Sequence, residues 1–463
     1  MVQHGMNSPW KYGMSKLQPN LSNASDNEGN PKKRTESASG LNPFDWRDWQ
    51  LGVFPAIESH SEVKLNILRD YIERYIEILC RGVRHGSTEF RLTIVDGFSG
   101  GGVYQGGKIG SPFVIMKAIR VAEARVNEMG RTVKIKVDAH YYFVDEQKAA
   151  LDCLKQQIQQ SDYRSEIDRS IFFVHGQFEA KYQNVVHCAK ARYKQGGRVI
   201  FFLDQSGYSH VKPSTLRAIS KDLNYKAEFI INIAIEWFND FLQGTDEFRK
   251  IFNGMEIGDK KTFDSLLELK ERRNADWRYM IEAELGPKFW HASGCQYWSP
   301  FYIRPEQSHR GYWLLHLAPR DAARYAMASV HWKNGNSFRH YGQPGLRMLA
   351  YDPASNAEGY FNGWAFDEYT KKQSVAILTS QLSMQIWDKH QSGITVAELI
   401  RLNCNDSIAD QELFLQAIRA ATDAGEAKLK GPNRGPKRSS TVSFDDIIIP
   451  NRQRHFPNLW PRG

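Results

Sequence analysis

Three aspartates each close an apolar run: Asp96 after FRLTIV, Asp145 within FVDEQ and Asp204 after RVIFFL. A carboxylate at the end of a buried strand accepts hydrogen bonds from a ligand's amines or hydroxyls, because open α/β sheets bind ligands beyond the carboxyl ends of their strands. Asp96 opens the glycine-rich segment VDGFSGGGVYQGG, residues 95–107, where Phe98 precedes Gly100, Gly101 and Gly102. Three successive residues without a Cβ let backbone amides approach a ligand closely. A tight turn made only for structural reasons is the alternative. The segment lacks the Lys-Ser/Thr pair of a phosphate-binding loop and matches GxGxxG poorly.

Asp145 stands where a nucleotide-binding sheet hydrogen-bonds ribose hydroxyls. The competing explanation is an acidic helix start answering the dipole, since Glu146 begins the next helix. The third strand ends in His175, Gly176 and Gln177, which places the Gln177 amide where an adenine edge would lie. Asp204 sits in LDQSGYSH with Tyr208 close behind, a carboxylate suited to orienting or deprotonating a substrate amine or hydroxyl. It could instead cap the following turn, and His210 reads as a loop histidine. Three converging acids could hold a metal for hydrolysis, but the order strand, Asp, glycine-rich turn fits an adenosine-type ligand better.

These residues need a scaffold, and the spacing supplies one. Leu65, Leu68, Tyr71, Ile72, Tyr75, Ile76 and Leu79 draw one apolar stripe, which predicts a long helix from Ser61. Strands are expected at 90–95, within 133–144, at 171–174, 198–203 and 228–235. Helices between them are expected at 111–129, 146–160 and 178–193. Strands alternating with helices predict an α/β fold, a Rossmann-like and mainly parallel sheet covered on both faces. Residues 238–295 read as a charged helical insertion, and strands at 297–304, 313–317 and 347–351 as the completion of the sheet. The domain boundaries implied are a flexible tail over 1–40, the Rossmann-like domain over 41–365 and a separate domain over 366–463. In the last, helices at 373–390, 396–402 and 410–424 precede strands at 426–430 and 441–449, the pattern of a winged helix-turn-helix.

The chain has 463 residues, 41% of them hydrophobic, which excludes a mostly disordered protein. Five scattered cysteines without a CxxC pair argue against a disulfide framework or a structural zinc and suit a reducing, cytoplasmic setting. No apolar run approaches a membrane span, so a membrane partner is not expected. The net charge is +9, and residues 425–463 carry eight basic residues against three acidic ones, more than half of the excess. Lys430, Arg434, Lys437 and Arg438 cluster at the expected wing tip, where they suit contact with a nucleic-acid phosphate backbone. A wing used for protein contact is the alternative. The expected recognition helix carries only Arg419 as a base-reading cation.

The series VDGFSGGG, FVDEQ and LDQSGY resembles the motifs of class I S-adenosylmethionine-dependent methyltransferases. More narrowly, HSEVKLNILRDYIERYIEIL from His60, DGFSGGGVYQGGKIGSP from Asp96, and FFLDQSGY look like the three-Cys-motif partner (TcmP) family. The resemblance runs from about residue 55 into the C-terminal region. It implies a methyltransferase domain joined to a winged helix, a three-cysteine radical-SAM-like partner protein, and S-adenosylmethionine as cofactor. On that reading Asp96, Phe98, Gly100, Gly101 and Gly102 hold the methionine part, Asp145 the ribose and Gln177 the adenine, with Asp204 and Tyr208 facing the transferred methyl group. Related amino-methyltransferases place a proline and an aromatic just after the acid, whereas Gln205 and Ser206 follow Asp204 here. That departure keeps a second expectation open, a catalytically inactive scaffold recruiting a partner enzyme to nucleic acid.

Overall fold

The computed structural model describes residues 44–81, 88–128, 133–192, 197–205, 207, 209–272, 277–303, 311–335, 339–340, 344–346, 364–432 and 435–451. The tail over 1–40, the strand expected at 347–351, Ser206, Tyr208 and Arg434 lie outside the described residues.

Five strands form a parallel array: β1 (Glu89–Asp96), β2 (Lys136–Asp145), β3 (Ile171–His175), β4 (Arg198–Leu203) and β5 (Ala227–Ile233). β6 (Tyr297–Ile303) and β7 (Tyr312–Ala318) complete the sheet, whose order is β3-β2-β1-β4-β5-β7-β6. β7 runs antiparallel to both its neighbours, so it wedges a reversed strand into an otherwise parallel sheet. The order 3-2-1-4-5 is that of a doubly wound, Rossmann-like sheet. β4 and β5 are apolar along almost their whole length because layers cover both faces. The order of strand addition reverses between the parallel strands β1 and β4, the switch point that leaves a crevice at the carboxyl edge of such sheets.

Helix α1 (Ser59–Arg81) packs against α2 (Ser111–Glu128) and α10 (Asp321–Asn334). The crossover helices α3 (Lys148–Gln159), α4 (Phe178–Arg192) and α5 (Pro213–Asp222) join the parallel strands, and right-handed crossovers put α2 and α3 on one face and α4 and α5 on the other. Between β5 and β6 come α6 (Ile235–Phe241), α7 (Asp246–Gly254), α8 (Lys260–Glu271) and α9 (Trp277–Ser293), the helices expected of the insertion. They are no loose appendage: Phe238, Phe248, Phe252 and Phe263 are buried with the main core, and α9 packs on α5. Two-residue strands β8 (Arg339–His340) and β9 (Trp364–Ala365) pair with each other.

The C-terminal segment contains α11 (Glu368–Lys389), α12 (Val396–Asn403) and α13 (Gln411–Asp423), with the short strands β10 (Ile394–Thr395), β11 (Ala427–Lys430), β12 (Pro436–Lys437) and β13 (Ile447–Pro450). They form an antiparallel sheet in the order β10-β13-β11-β12 and a second core around Leu378, Leu399, Phe414 and Ile418. The strand expected from 441 begins only at Ile447. Asp446 is fully buried and accepts hydrogen bonds from Lys437 Nζ at 2.8 and 2.7 Å and from the Ser443 amide at 2.7 Å, which closes a turn that a straight strand could not make.

This segment is tied firmly to the sheet domain. Arg324 on α10 is fully buried, and its guanidinium donates to the carbonyls of Ser407 and Ala409. Trp332 Nε1 reaches the Ile408 carbonyl at 3.2 Å, and Trp298 Nε1 the Asn405 carbonyl at 3.0 Å. No helix among the described residues is long and apolar enough to cross a membrane.

Candidate functional site

Asp96, Asp145 and Asp204 lie on neighbouring strands at the carboxyl edge, where the sheet brings the first two into one hydrogen-bonded loop. Asp145 is half-buried; its Oδ2 accepts from the Gly100 amide and its Oδ1 from the Gln147 amide, both at 2.8 Å. The carboxylate thus clamps the glycine turn to the start of α3. Burial pushes its pKa up while those two amides pull it down. Each oxygen keeps a second lone pair that a ligand hydroxyl could use.

Asp96 is fully buried. Its Oδ1 accepts from the Phe98 amide at 3.3 Å, and its Oδ2 has no hydrogen-bond partner among the described residues. Burial pushes this carboxyl up to about 7, against the Ser111 hydroxyl and the Phe98 amide, which favour the anion. With the Ser111 hydroxyl close enough to favour the anion but no bond closed on Oδ2, that oxygen can accept from a ligand's donor or hold a proton.

The glycines themselves behave differently from the expectation that they bare the backbone to a ligand. A Cβ on Gly101 would come within 2.1 Å of the Trp46 ring, and one on Gly102 within 2.5 Å of Leu154. Gly100, at φ +57°, has Trp46 at 3.3 Å from the same virtual atom. Part of the glycine run therefore admits the chain's own indole. Several loop amides are also committed internally: Gly97 to the Phe202 carbonyl, Ser99 to Val144 and Gly110 to Gly102. Phe98 is half-buried and stacks at 6.4 Å on the exposed His210.

Gln177 is exposed, and its Nε2 donates to Glu146 Oε2 at 3.2 Å. Gly176, at φ +132°, makes the bend that brings it there. Among the described residues, the partner of Asp204 is a lysine on α1. Asp204 Oδ1 receives a 2.6 Å bond from Lys64 Nζ, with Lys64 only 5% exposed against 27% for Asp204. The next residue, Gln205, is buried, and its Oε1 holds the amides of His210 and Val211. A proline at that position would leave no side chain to fasten this loop, which Gln205 holds by hydrogen bonds.

Sequence reasoning missed four site residues. Lys64 is on α1, 140 residues from the acid it pairs with. One turn earlier, His60 stacks on Tyr312 at the start of β7, with centroids 4.7 Å apart and 15° between planes. Burial and then the Lys64 ammonium push His60 below its ordinary pKa, with Glu58 and Asp204 pulling the other way. Tyr104 lies near enough to feel both acids: burial, then Asp204 and Asp96, hold its phenol well above the usual range and keep it protonated. Trp46 is the fourth. Lys64 and His60 did fall inside the HSEVKL stretch, which showed only an apolar stripe with polar residues between.

Residues 44–64 therefore cross the whole carboxyl edge. Trp46 touches Gly100 and Gly101, the Pro55 carbonyl accepts from the Gln105 amide at 2.9 Å, Glu62 pairs with Lys108, and Lys64 reaches Asp204. Beyond Asp204 a second acidic group lies where α6 and α9 meet β7. Glu282 is buried and pushed up to about 8, by burial first and then by Glu236, while Trp313 Nε1 donates to it at 3.2 Å. Among the described residues, no three His, Cys, Asp or Glu side chains gather to hold a metal ion, and the three aspartates do not form such a group.

On the C-terminal hairpin, Lys430 is half-buried and Arg438 exposed. Lys437 spends its charge on Asp446, and Arg419 on α13 pairs with Glu412 at 3.1 Å.

No protein-family model and no curated protein matches this chain. Among solved structures it is similar to a proposed O-methyltransferase from Klebsiella pneumoniae, at 9% identity and TM-score 0.27, over 60% of this chain and 93% of that one. It is also similar to a proposed class I S-adenosylmethionine-dependent methyltransferase from Listeria monocytogenes, at 12% identity and TM-score 0.23, over 57% and 64%. A loganic acid methyltransferase with SAH overlaps at 10% identity and TM-score 0.20, over 58% and 99%. These overlaps are loose, and the Rossmann-like assignment rests on strand order and direction.

Proposed function

We propose that this chain binds S-adenosylmethionine at the β1–β2 edge and acts as a methyltransferase-like protein. The observation that carries the reading is Asp145, whose two oxygens bind the glycine turn and the first turn of α3 while keeping lone pairs for a vicinal diol. The residues present fit the ligand: a ribose acceptor at Asp145, an open buried acceptor at Asp96 Oδ2 for a cationic amine, and an amide at Gln177 for a base edge. When bound, the cofactor supplies an activated methyl group. The chain's own part is positioning. Lys64 fixes Asp204 Oδ1, which leaves Oδ2 to align an acceptor's N–H or O–H and take up its proton. Tyr104, kept protonated, supplies a hydroxyl donor within the electrostatic reach of both acids.

Calorimetric titration with S-adenosylmethionine tests the reading. Binding to the wild type, lost or weakened at least tenfold in Asp145→Ala, is expected; no heat with the wild type sinks it.

One observation favours a second reading, a non-catalytic scaffold. The 2.6 Å ion pair with a nearly buried lysine occupies the acid that would serve as base. Transfer of radiolabelled methyl groups onto mixed DNA, RNA and protein decides: a signal lost in Asp204→Ala removes the scaffold. The likeness to the three-Cys-motif partner family supports a radical-SAM-like partner, and the cationic hairpin with Lys430, Arg434, Lys437 and Arg438 supports contact with a nucleic-acid backbone. Of these, Arg438 is the exposed cation with no ion pair among the described residues. A neighbouring gene that encodes a radical-SAM-like protein with a three-cysteine motif, and whose product co-purifies with this chain, is the expected result for the first; a chain that retains no such protein overturns it. Salt-dependent binding of a DNA or RNA duplex, weakened in Arg438→Ala, tests the second.

A further inference from the structure

The glycine turn of this chain is roofed by one of its own aromatic rings. Residues Trp46–Leu51 form a short 3-10 turn, and the Trp46 ring lies directly on Gly100 and Gly101, where a Cβ on Gly101 would sit 2.1 Å from Cζ3. The Trp46 amide donates to Gln147 Oε1 at 3.3 Å, and the Gln147 amide in turn donates to Asp145 Oδ1 at 2.8 Å. The same carboxylate receives the Gly100 amide. Ring, glycine turn and acid thus form one closed circuit. Phe44 backs the ring edge-on, with centroids 5.1 Å apart and 80° between planes. Trp46 is itself buried at 8% exposure.

We propose that Trp46 is a contact residue of the cofactor site and that S-adenosyl ligands bind between the sheet edge and the 44–57 strap. This rests on the cofactor reading above. The ring already covers Gly100 and Gly101, so a ligand on that side of the turn must lie against the indole or displace it. An aromatic wall also suits the flat adenosine half of such a ligand, because stacked rings gain beyond the area they bury. The glycines then have a stated purpose: they let the indole pack directly on the turn and stand as a wall of the site.

Titration with S-adenosylhomocysteine tests this. Trp46→Ala is expected to bind at least tenfold more weakly than the wild type, and Phe44→Ala, which removes only the support behind the ring, by a smaller factor. Hydrogen exchange of the wild type is expected to slow on binding both at 97–102 and at 46–52. Affinities within twofold of wild type for both variants overturn the proposal, as does protection confined to 97–102; either result leaves the cofactor site itself standing. A wild type that binds no S-adenosylhomocysteine overturns the cofactor reading and this inference with it. If Trp46→Ala does not fold, Phe44→Ala and the exchange pattern decide.

Discussion

Asp96→Asn changes one atom of the site and removes one titration. In the folded chain burial holds the Asp96 carboxyl at about 7, against an ordinary 3.8. The anion is therefore disfavoured by about 4 kcal/mol. The sign follows from linkage: the folded state binds this proton more tightly than the unfolded chain, so the stability it carries is intact below about pH 4 and is lost as pH rises through 7. Between pH 5 and 8.5 the loss is about 3 kcal/mol at most, since local relaxation softens the burial penalty. Asparagine keeps the acceptor for the Phe98 amide and has nothing to titrate. Whatever constant cost its amide adds at the open Oδ2 position is the same at every pH. Urea unfolding of wild type and variant at pH 5, 7 and 8.5 isolates the effect, because the other buried acids, Glu282 among them, cancel in the difference. The variant is expected to gain on the wild type by about 2–3 kcal/mol across that range. Parallel stability curves would refute the reasoning, showing that Asp96 is ionised and satisfied in the folded state.

Three other substitutions have defined outcomes. Gly101→Ala drives a methyl group into the Trp46 ring and is expected to cost about 2 kcal/mol; adding Trp46→Ala should recover most of it, a coupling that a double-mutant cycle reads directly. Asp204→Asn leaves the Lys64 ammonium nearly buried beside a neutral amide, and a loss of about 2 kcal/mol in chemical denaturation is expected, reduced from that of a fully buried pair because Asp204 is part-exposed. An unchanged midpoint would show that the ion pair is not structural. Lys437→Ala strips the cation from buried Asp446 and is expected to lower the stability of the C-terminal segment by about 2 kcal/mol, most visibly at neutral pH. Asp446 is held below its ordinary pKa, its bonds to Lys437 and the Ser443 amide outweighing burial, so the wild-type advantage is present above about pH 4 and fades below it as the carboxylate protonates.

The strands were legible because each is a short apolar run bounded by turn residues, and the three aspartates marked their carboxyl ends. Two helices were not foreseen, for different reasons. α5 begins at Pro213 directly after a loop rich in small polar residues and runs for only 10 residues, too short for a clear stripe. α10 shows no stripe because it is enclosed: Ala323, Tyr325, Met327 and Ala328 are buried on several sides, between α1 and the C-terminal core. Periodicity signals a boundary with water, and a helix without one gives little signal. The site was half legible for a related reason. Residues attached to strand ends declared themselves, whereas Lys64, His60 and Trp46 belong to the site only through contacts with residues 54 to 252 positions further along the chain, and no local spacing encodes those. The function of the glycines was legible as a need for closeness, but not what comes close.

The buried guanidinium of Arg324 has a consequence for geometry on a larger scale. Fastened to Ser407 and Ala409, with Trp298 and Trp332 bonded on either side, the C-terminal segment cannot swing like an arm on a tether. It behaves as the fixed jaw of a caliper. The β11–β12 hairpin is therefore held at one set reach from Asp204, and the two parts of the chain keep a fixed spacing.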